Sequence, residues 1–304
     1  MKVIPPLTIT GAMLTSSTAA EPSSGETAWA SGGTYALGDQ RIRTATHRTY
    51  ECVLAHTGVT TAPESDTTHW LDVGPTNRWA MFDLERSSQT SVTSSNLVVV
   101  LAPGKRINSL GLVGLQAGQV TVQMHEGATQ VYTKTQSLLT RNTTTWTQYF
   151  FGEFRPRRAF VTFDLPLSST ATLTVTLTPN DGAAKCGGLV IGMVEDLGTI
   201  IDKPVSDVNN FSRVTRDEFG TATLNKRRNV PLLQHRVHSP AARLDRLREL
   251  RDTLDATPAL WSGADDRQTS NFFDTLLLAG IAKKWSIGMD SPLSVVSDLQ
   301  LEEI

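Results

Sequence analysis

The chain has 304 residues, enough for two or three domains, and 28 Lys and Arg against 30 Asp and Glu leave a net charge of −2. A balance this even gives no global field for nucleic acid or acidic lipid, so no nucleic-acid partner is expected. Two cysteines, Cys52 and Cys186, are too few for a disulfide framework and lack the spacing of a zinc site; they read as buried small hydrophobes of a protein made in a reducing compartment.

In chain order, two prolines interrupt Met1-Lys2-Val3-Ile4-Pro5-Pro6-Leu7, and no apolar run of signal-peptide length follows. Apolar runs such as residues 276–282 are far too short to span a bilayer, so a soluble, non-secreted chain without membrane insertion is expected. Residues 1–25 read as an extended arm. Pro5-Pro6 forbids helix, and the Thr/Ser/Ala/Gly-rich run buries little, so the arm would be ordered by lying across a neighbour.

Residues 26–76 hold a concentration of rings. Aromatic residues make up 7% of the chain, yet Trp29, Tyr35, Tyr50 and Trp70 fall together among turn residues, with a return point at Gly74-Pro75-Thr76-Asn77-Arg78-Trp79. Such a segment predicts a small three-stranded unit built around a few rings, which are either the whole core or a flat ligand platform. As a platform, Trp29, Tyr35, Tyr50, Trp70 and Trp79 would offer stacking faces, with Asp39 and His69 as polar partners. The order Trp29, Tyr35-x-x-Gly38-Asp39, Tyr50-x-Cys52, Pro63, Trp70-x-x-Val73 resembles the small chitin-binding-type carbohydrate-binding modules that also occur in tailed-phage virion proteins. The resemblance implies the family's structural frame. Where its sugar-binding members carry an aromatic pair after the Tyr strand, this chain reads Leu54-Ala55-His56-Thr57.

Residues 77–198 predict a β-sandwich. Residues 97–101 form an apolar run stopped by Pro103-Gly104; Val120, Val122 and Met124 alternate with polar partners, as do Val161, Phe163 and Leu165, then Leu173, Val175 and Leu177, then Leu189, Ile191 and Met193. Gly111, Gly114 and Gly118 read as hairpin or close-approach glycines and lack the Lys-Ser/Thr of a phosphate loop. The pattern resembles the galactose-binding-like jelly rolls, which implies a recognition or scaffold role.

Residues 199–304 predict an α+β unit, one helix on an antiparallel sheet. Residues 211–224 and 232–237 read as strands, and Ser239-Pro240 as a helix start with Ser as N-cap and Pro at the first helical position. The helix runs over 241–256, with Leu244, Leu247, Leu250 and Leu254 as one apolar stripe. Its Arg243, Arg246, Arg248 and Arg251 alternate with Asp245, Glu249, Asp252 and Asp255, a mixed-sign face read as solvated. Strands are expected at 259–261, 276–282, 284–289 and 295–301, with Val295, Leu299 and Leu301 on one face, and a polar loop at 263–271.

No arrangement for chemistry stands out, and no cofactor or metal is expected. His235 and His238 would share a helical face, but on a strand a separation of three sends them to opposite sides. Asp265-Asp266 reads as a solvated turn, and no Gly-x-Ser-x-Gly, His-Glu-x-x-His or Cys-x-x-Cys occurs.

A wider resemblance joins these parts. Ile4-Pro5-Pro6-Leu7-x-Ile9-Thr10-x-Ala12-Met13-Leu14-Thr15-Ser16, Gly74-Pro75-Thr76-Asn77-Arg78-Trp79-Ala80-Met81-Phe82-Asp83, Glu218-Phe219-Gly220-Thr221-Ala222-Thr223-Leu224, Ala241-Ala242-Arg243-Leu244-Asp245, Thr257-Pro258-Ala259-Leu260-Trp261 and the closing Leu299-Gln300-Leu301-Glu302-Glu303-Ile304 are similar to a family of phage tail-associated proteins. The last domain resembles the sheet-plus-helix unit of tail-tube and distal-tail proteins, which makes rings by joining sheets between neighbours. The resemblance implies a non-enzymatic structural subunit of a tailed-phage virion, at the tail tip or baseplate. It would be assembled in the host bacterial cytoplasm, form a homo-oligomer, touch other tail or baseplate proteins through its arm and sheet edges, and project the sugar-module-like insert. The rival expectation is an adhesin that binds host surface glycan.

Overall fold

The computed structural model describes residues 1–85, 88–141, 145–201, 203–264 and 273–304. The protein is mainly β, with several antiparallel sheets and one helix in the C-terminal region, as the sequence pattern requires. It divides into two compact units, residues 8–189 and residues 1–7 with 190–304, whereas boundaries at 25, 76 and 198 are the sequence-based expectation.

In the first unit, strands Gln40–Arg43, Arg48–Cys52 and Trp70–Pro75 form a three-stranded sheet, and Thr34–Tyr35 pairs with His56–Thr57. Tyr50 and Cys52 are two residues apart and share a face, and Cys52 lies opposite Trp70. With Tyr35 they make a closed four-residue core, against which Trp29 packs.

The five-stranded sheet runs in the order Thr129–Ser137, Gln119–Glu126, Thr172–Thr178, Leu97–Leu101, Leu14–Ser17. Alternation and register agree here. Val120, Val122 and Met124 lie opposite Leu177, Val175 and Leu173, which lie opposite Leu97, Val99 and Leu101, so three buried rows cross three strands. Each such side chain contributes about 1.5–3 kcal/mol by leaving water.

The three-stranded sheet of Ala159–Thr162, Ser109–Val113 and Gly188–Gly192 departs from expectation twice. Phe160 and Thr162 are buried in place of Val161 and Phe163, a one-residue slip. The hydroxyl of Thr162 explains it: the side chain donates to Asp164 and accepts from Lys134 Nζ at 3.0 Å, so a polar position is satisfied inside. Gly188–Gly192 is buried on both faces and ends before Met193, which is exposed. Gly114 is a close-approach glycine, at φ +63° with the Gly187 Cα only 3.0 Å from where a Cβ would stand.

The second unit is an eight-stranded sheet. Its order is Glu195–Asp196, Lys2–Ile4, Ala259–Ser262, Leu277–Ser291, Ser294–Glu303, Asn229–Pro240, with Thr199–Ile200 and Val205–Asn210 both on the last strand. The first residues are therefore not a free arm. Lys2–Ile4 is an interior strand with Val3 and Ile4 fully buried, and Leu14–Ser17 is built into the other unit's sheet. Their partners lie far along the chain, which local composition does not report.

Expected strands at 276–282 and 284–289 merge into Leu277–Ser291, with the register shift of a bulge between Ala282 and Lys284. The helix starts later than its expected cap. Asn229–Pro240 continues as strand through Ser239, whose hydroxyl donates to the Leu197 carbonyl, and one 3-10 turn, Ala241–Arg243, precedes helix Leu244–Thr253. Leu247, Leu250 and Leu254 then enter a core with Val3, Val237, Trp261, Leu299 and Leu301. The mixed-sign face is more than solvated: Arg243 pairs with Asp196 at 2.9 Å and Arg246 with Glu195, tying helix to edge strand, at under about 1 kcal/mol per exposed pair.

Candidate functional site

Of the residues expected to form a platform, Tyr35, Tyr50 and Trp70 have no free face. They are 5%, 4% and 3% exposed, and Tyr35 meets Trp70 edge-on at 4.9 Å. The Tyr35 hydroxyl donates to Ala30 O at 2.7 Å and accepts from Ala30 N at 2.8 Å, while the Arg41 guanidinium lies 5.2 Å from its ring. Asp39 braces the neighbouring turn, accepting from Ala36 N at 3.1 Å and from Arg41 at 3.3 Å.

Trp29 and Trp79 are half-buried, and each has a cover. Arg43 lies 4.8 Å from the Trp29 ring and is held there by Glu64 at 2.9 Å. Trp79 stacks on His47 at 4.3 Å, and His47 Nδ1 is 3.0 Å from the buried carboxylate of Glu21. Glu21 also accepts from the Thr76 hydroxyl at 2.7 Å, so this node fastens the incoming chain to the return point of the small sheet.

His69 lies beside the core, 4.4 Å from the His56 ring, with Nδ1 2.8 Å from Asp66. Burial pushes the Asp66 carboxyl up, but hydrogen bonds from the His69 side chain and backbone more than offset this and hold it below the ordinary value. The seven residues thus fall into a core trio, a turn brace, two covered rings and one His–Asp pair.

Cys52 and Cys186 are free and buried, and burial pushes the Cys186 thiol up to about 12, too high for a thiolate nucleophile. His235 and His238 occupy one strand; His235 is buried, neither of its ring nitrogens is bonded among the described residues, and burial, with a smaller push from the N-terminal ammonium, lowers its pKa to about 4. Among the described residues no group of three or more His, Cys, Asp or Glu is placed to hold a metal ion, and no helix is long and apolar enough to cross a membrane. Asp265 and Asp266 lie outside the described residues.

Two exposed surfaces stand out instead. The segment expected as one strand over 211–224 is a hairpin, Arg213–Arg216 with Ala222–Asn225. Its turn follows local rules: Asp217 Oδ1 accepts from Phe219 N at 3.0 Å and Thr221 N at 2.8 Å, and Gly220 takes φ +80°. The hairpin has no buried side chain; Val214, Leu224 and the tip Phe219 are 52%, 74% and 92% exposed. The adjoining strand Val205–Asn210 exposes Val205 and Val208.

The other surface follows no strand or helix periodicity that the sequence pattern would single out. Trp146, Tyr149, Phe150, Phe151 and Phe154 crowd into nine residues, a density that would have marked them. All five are exposed, on and beside the short helix Trp146–Phe151.

No family model and no curated protein matches the chain.

Proposed function

We propose that this chain is a non-enzymatic structural subunit of a tailed-phage virion, at the tail tip or baseplate, that joins copies of itself through the hairpin Arg213–Arg216/Ala222–Asn225. The observation that carries the reading is that hairpin's lack of any buried side chain. An isolated two-stranded hairpin is marginal in water, and its exposed Val214, Phe219 and Leu224 are a surface that a neighbouring sheet would cover. The adjoining Val205–Asn210 lies outermost along its stretch of the eight-stranded sheet and offers backbone groups for the same pairing. Within residues 1–25, the expected joining arm, Lys2–Ile4 and Leu14–Ser17 are strands of the chain's own sheets, so the joining role passes to the hairpin. The resemblance of six segments to phage tail-associated proteins supports the virion setting. The small sheet of residues 26–76 is a spacer whose rings are its core. The adhesin reading keeps only Trp29 and Trp79 as part-exposed rings, each with one face covered.

The test is the mass of the full chain in solution as its concentration rises, against a variant with residues 213–225 replaced by a short Gly-Ser link. The full chain should form a closed oligomer and the variant a folded monomer, since the hairpin buries nothing within its own chain. A full chain that stays monomeric, or an oligomer that survives the replacement, overturns the proposal.

A further inference from the structure

Leu139–Thr140 pairs with Arg155–Pro156, and the chain between them carries the helix Trp146–Phe151, none of whose residues is buried. Nothing from a core specifies this helix. Thr145 caps it, accepting from Gln148 N at 3.2 Å, and the rings stack on one another: Trp146 lies 6.3 Å from Phe150, and Tyr149 5.2 Å edge-on to Phe150. Arg141 steadies the base, its guanidinium 5.3 Å from the Tyr149 ring and 5.0 Å from Phe154.

Trp146 is 79% exposed, Tyr149 49%, Phe150 64%, Phe151 83% and Phe154 61%. Rings of this size leave roughly 600 Å² of apolar surface in water, at the upper end of the largest patch on an ordinary monomer. Along residues 141–158 the charge is one-sided, Arg141, Arg155, Arg157 and Arg158 against a single Glu153, in a chain whose overall charge is −2. That excess decides between occupants. Two copies of the loop meeting tip to tip would bring like charges together, whereas an anionic surface is attracted. The residue types fit a lipid interface as well. Trp and Tyr settle at headgroup level, Phe enters the acyl boundary, and arginine forks match phosphate oxygens.

We propose that the protrusion Trp146–Phe154 inserts into the headgroup–acyl boundary of an anionic lipid bilayer, with the exposed Arg155 and Arg158 on lipid phosphates. The expectation of no membrane insertion rests on the lack of a spanning run, and entry of one loop into one leaflet needs none. The inference does not depend on the hairpin or on assembly.

The test is flotation of the full chain with vesicles of phosphatidylcholine and phosphatidylglycerol, against phosphatidylcholine alone. The chain should float with the anionic vesicles, less so as salt rises, and should barely float with neutral ones. The pair Phe150→Ser and Phe151→Ser should lower the partition coefficient at least about tenfold, and Arg155→Gln or Arg158→Gln about fivefold each. Brominated acyl chains should quench a tryptophan signal that Trp146→Phe removes, a readout that holds even if the serine pair misfolds. No flotation with anionic vesicles, or flotation unchanged by a folded serine pair, overturns the proposal. So does self-association that needs the rings in the absence of lipid binding, which would make the occupant a protein.

Discussion

The same residue types meet opposite fates in two parts of this chain. In residues 26–76, Tyr35, Tyr50 and Trp70 turn inward and form most of a four-residue core. Between Leu139 and Pro156, Trp146, Tyr149, Phe150 and Phe151 turn outward on a helix with no buried residue. Composition is similar, so composition does not decide it. The small sheet has alternation and cross-strand register, with Cys52 opposite Trp70, to gather its rings on one face. The helix has one capped turn and a bit more, too short to fold back on anything, and its rings stack on one another and on Arg141 in place of a core. Inward rings make stability; outward rings cost solvation until something covers them.

Substitution should separate the two. Trp70→Ala removes the largest ring of a core with no reserve, so a loss of about 3–5 kcal/mol is expected, enough to open the small sheet. Cys52, fully buried in the intact core, should then react with a thiol reagent that does not touch it in the unaltered protein. A Trp70→Ala protein with Cys52 still shielded would erase the contrast.

Burial of a polar ring can be read in a third place, through pH. His235 is held neutral, its pKa lowered to about 4. Above about pH 6.5 both folded and unfolded states carry the neutral ring and nothing is lost. As pH falls below that value the unfolded chain takes up a proton that the folded one refuses, so stability drops until about pH 4, by up to roughly 3 kcal/mol. Urea unfolding at pH 7 and pH 4.5 should show this slope, and His235→Leu should remove its share; equal slopes in both proteins would mean the ring is solvated.

Phe151→Ala should have the smallest effect, within about 0.5 kcal/mol, because an exposed ring leaves water in neither state. A thermal midpoint that falls as far as in Trp70→Ala would show that the loop packs after all.

Much of the fold was legible. The alternation at 97–101, 120–124 and 173–177 became three aligned rows, Leu247, Leu250 and Leu254 lined the helix's buried side, and Tyr35, Tyr50 and Trp70 formed a compact ring cluster. Legibility ended where a partner lay far off in sequence. Lys2–Ile4 has the composition of an arm, but its strand partners are Glu195–Asp196 and Ala259–Ser262. Ser239-Pro240 has the form of a cap, but the Ser239 hydroxyl is taken by Leu197, across the sheet's end. Phe160 and Thr162 displaced Val161 and Phe163 because Asp164 and Lys134 satisfy a hydroxyl that hydropathy counts as a surface group.

Sequence by itself thus determined the strand periodicities, the helix stripe and the residues of the small aromatic core. These depend on spacing and on bonds within a few residues, which the order of side chains states directly. Tertiary structure alone decided which rings face water, which strand lies inside a sheet, and that the hairpin and the Trp146–Phe151 helix are left uncovered. Each of those outcomes turns on whether a distant segment arrives to take up a face or an edge, and no local pattern carries that information.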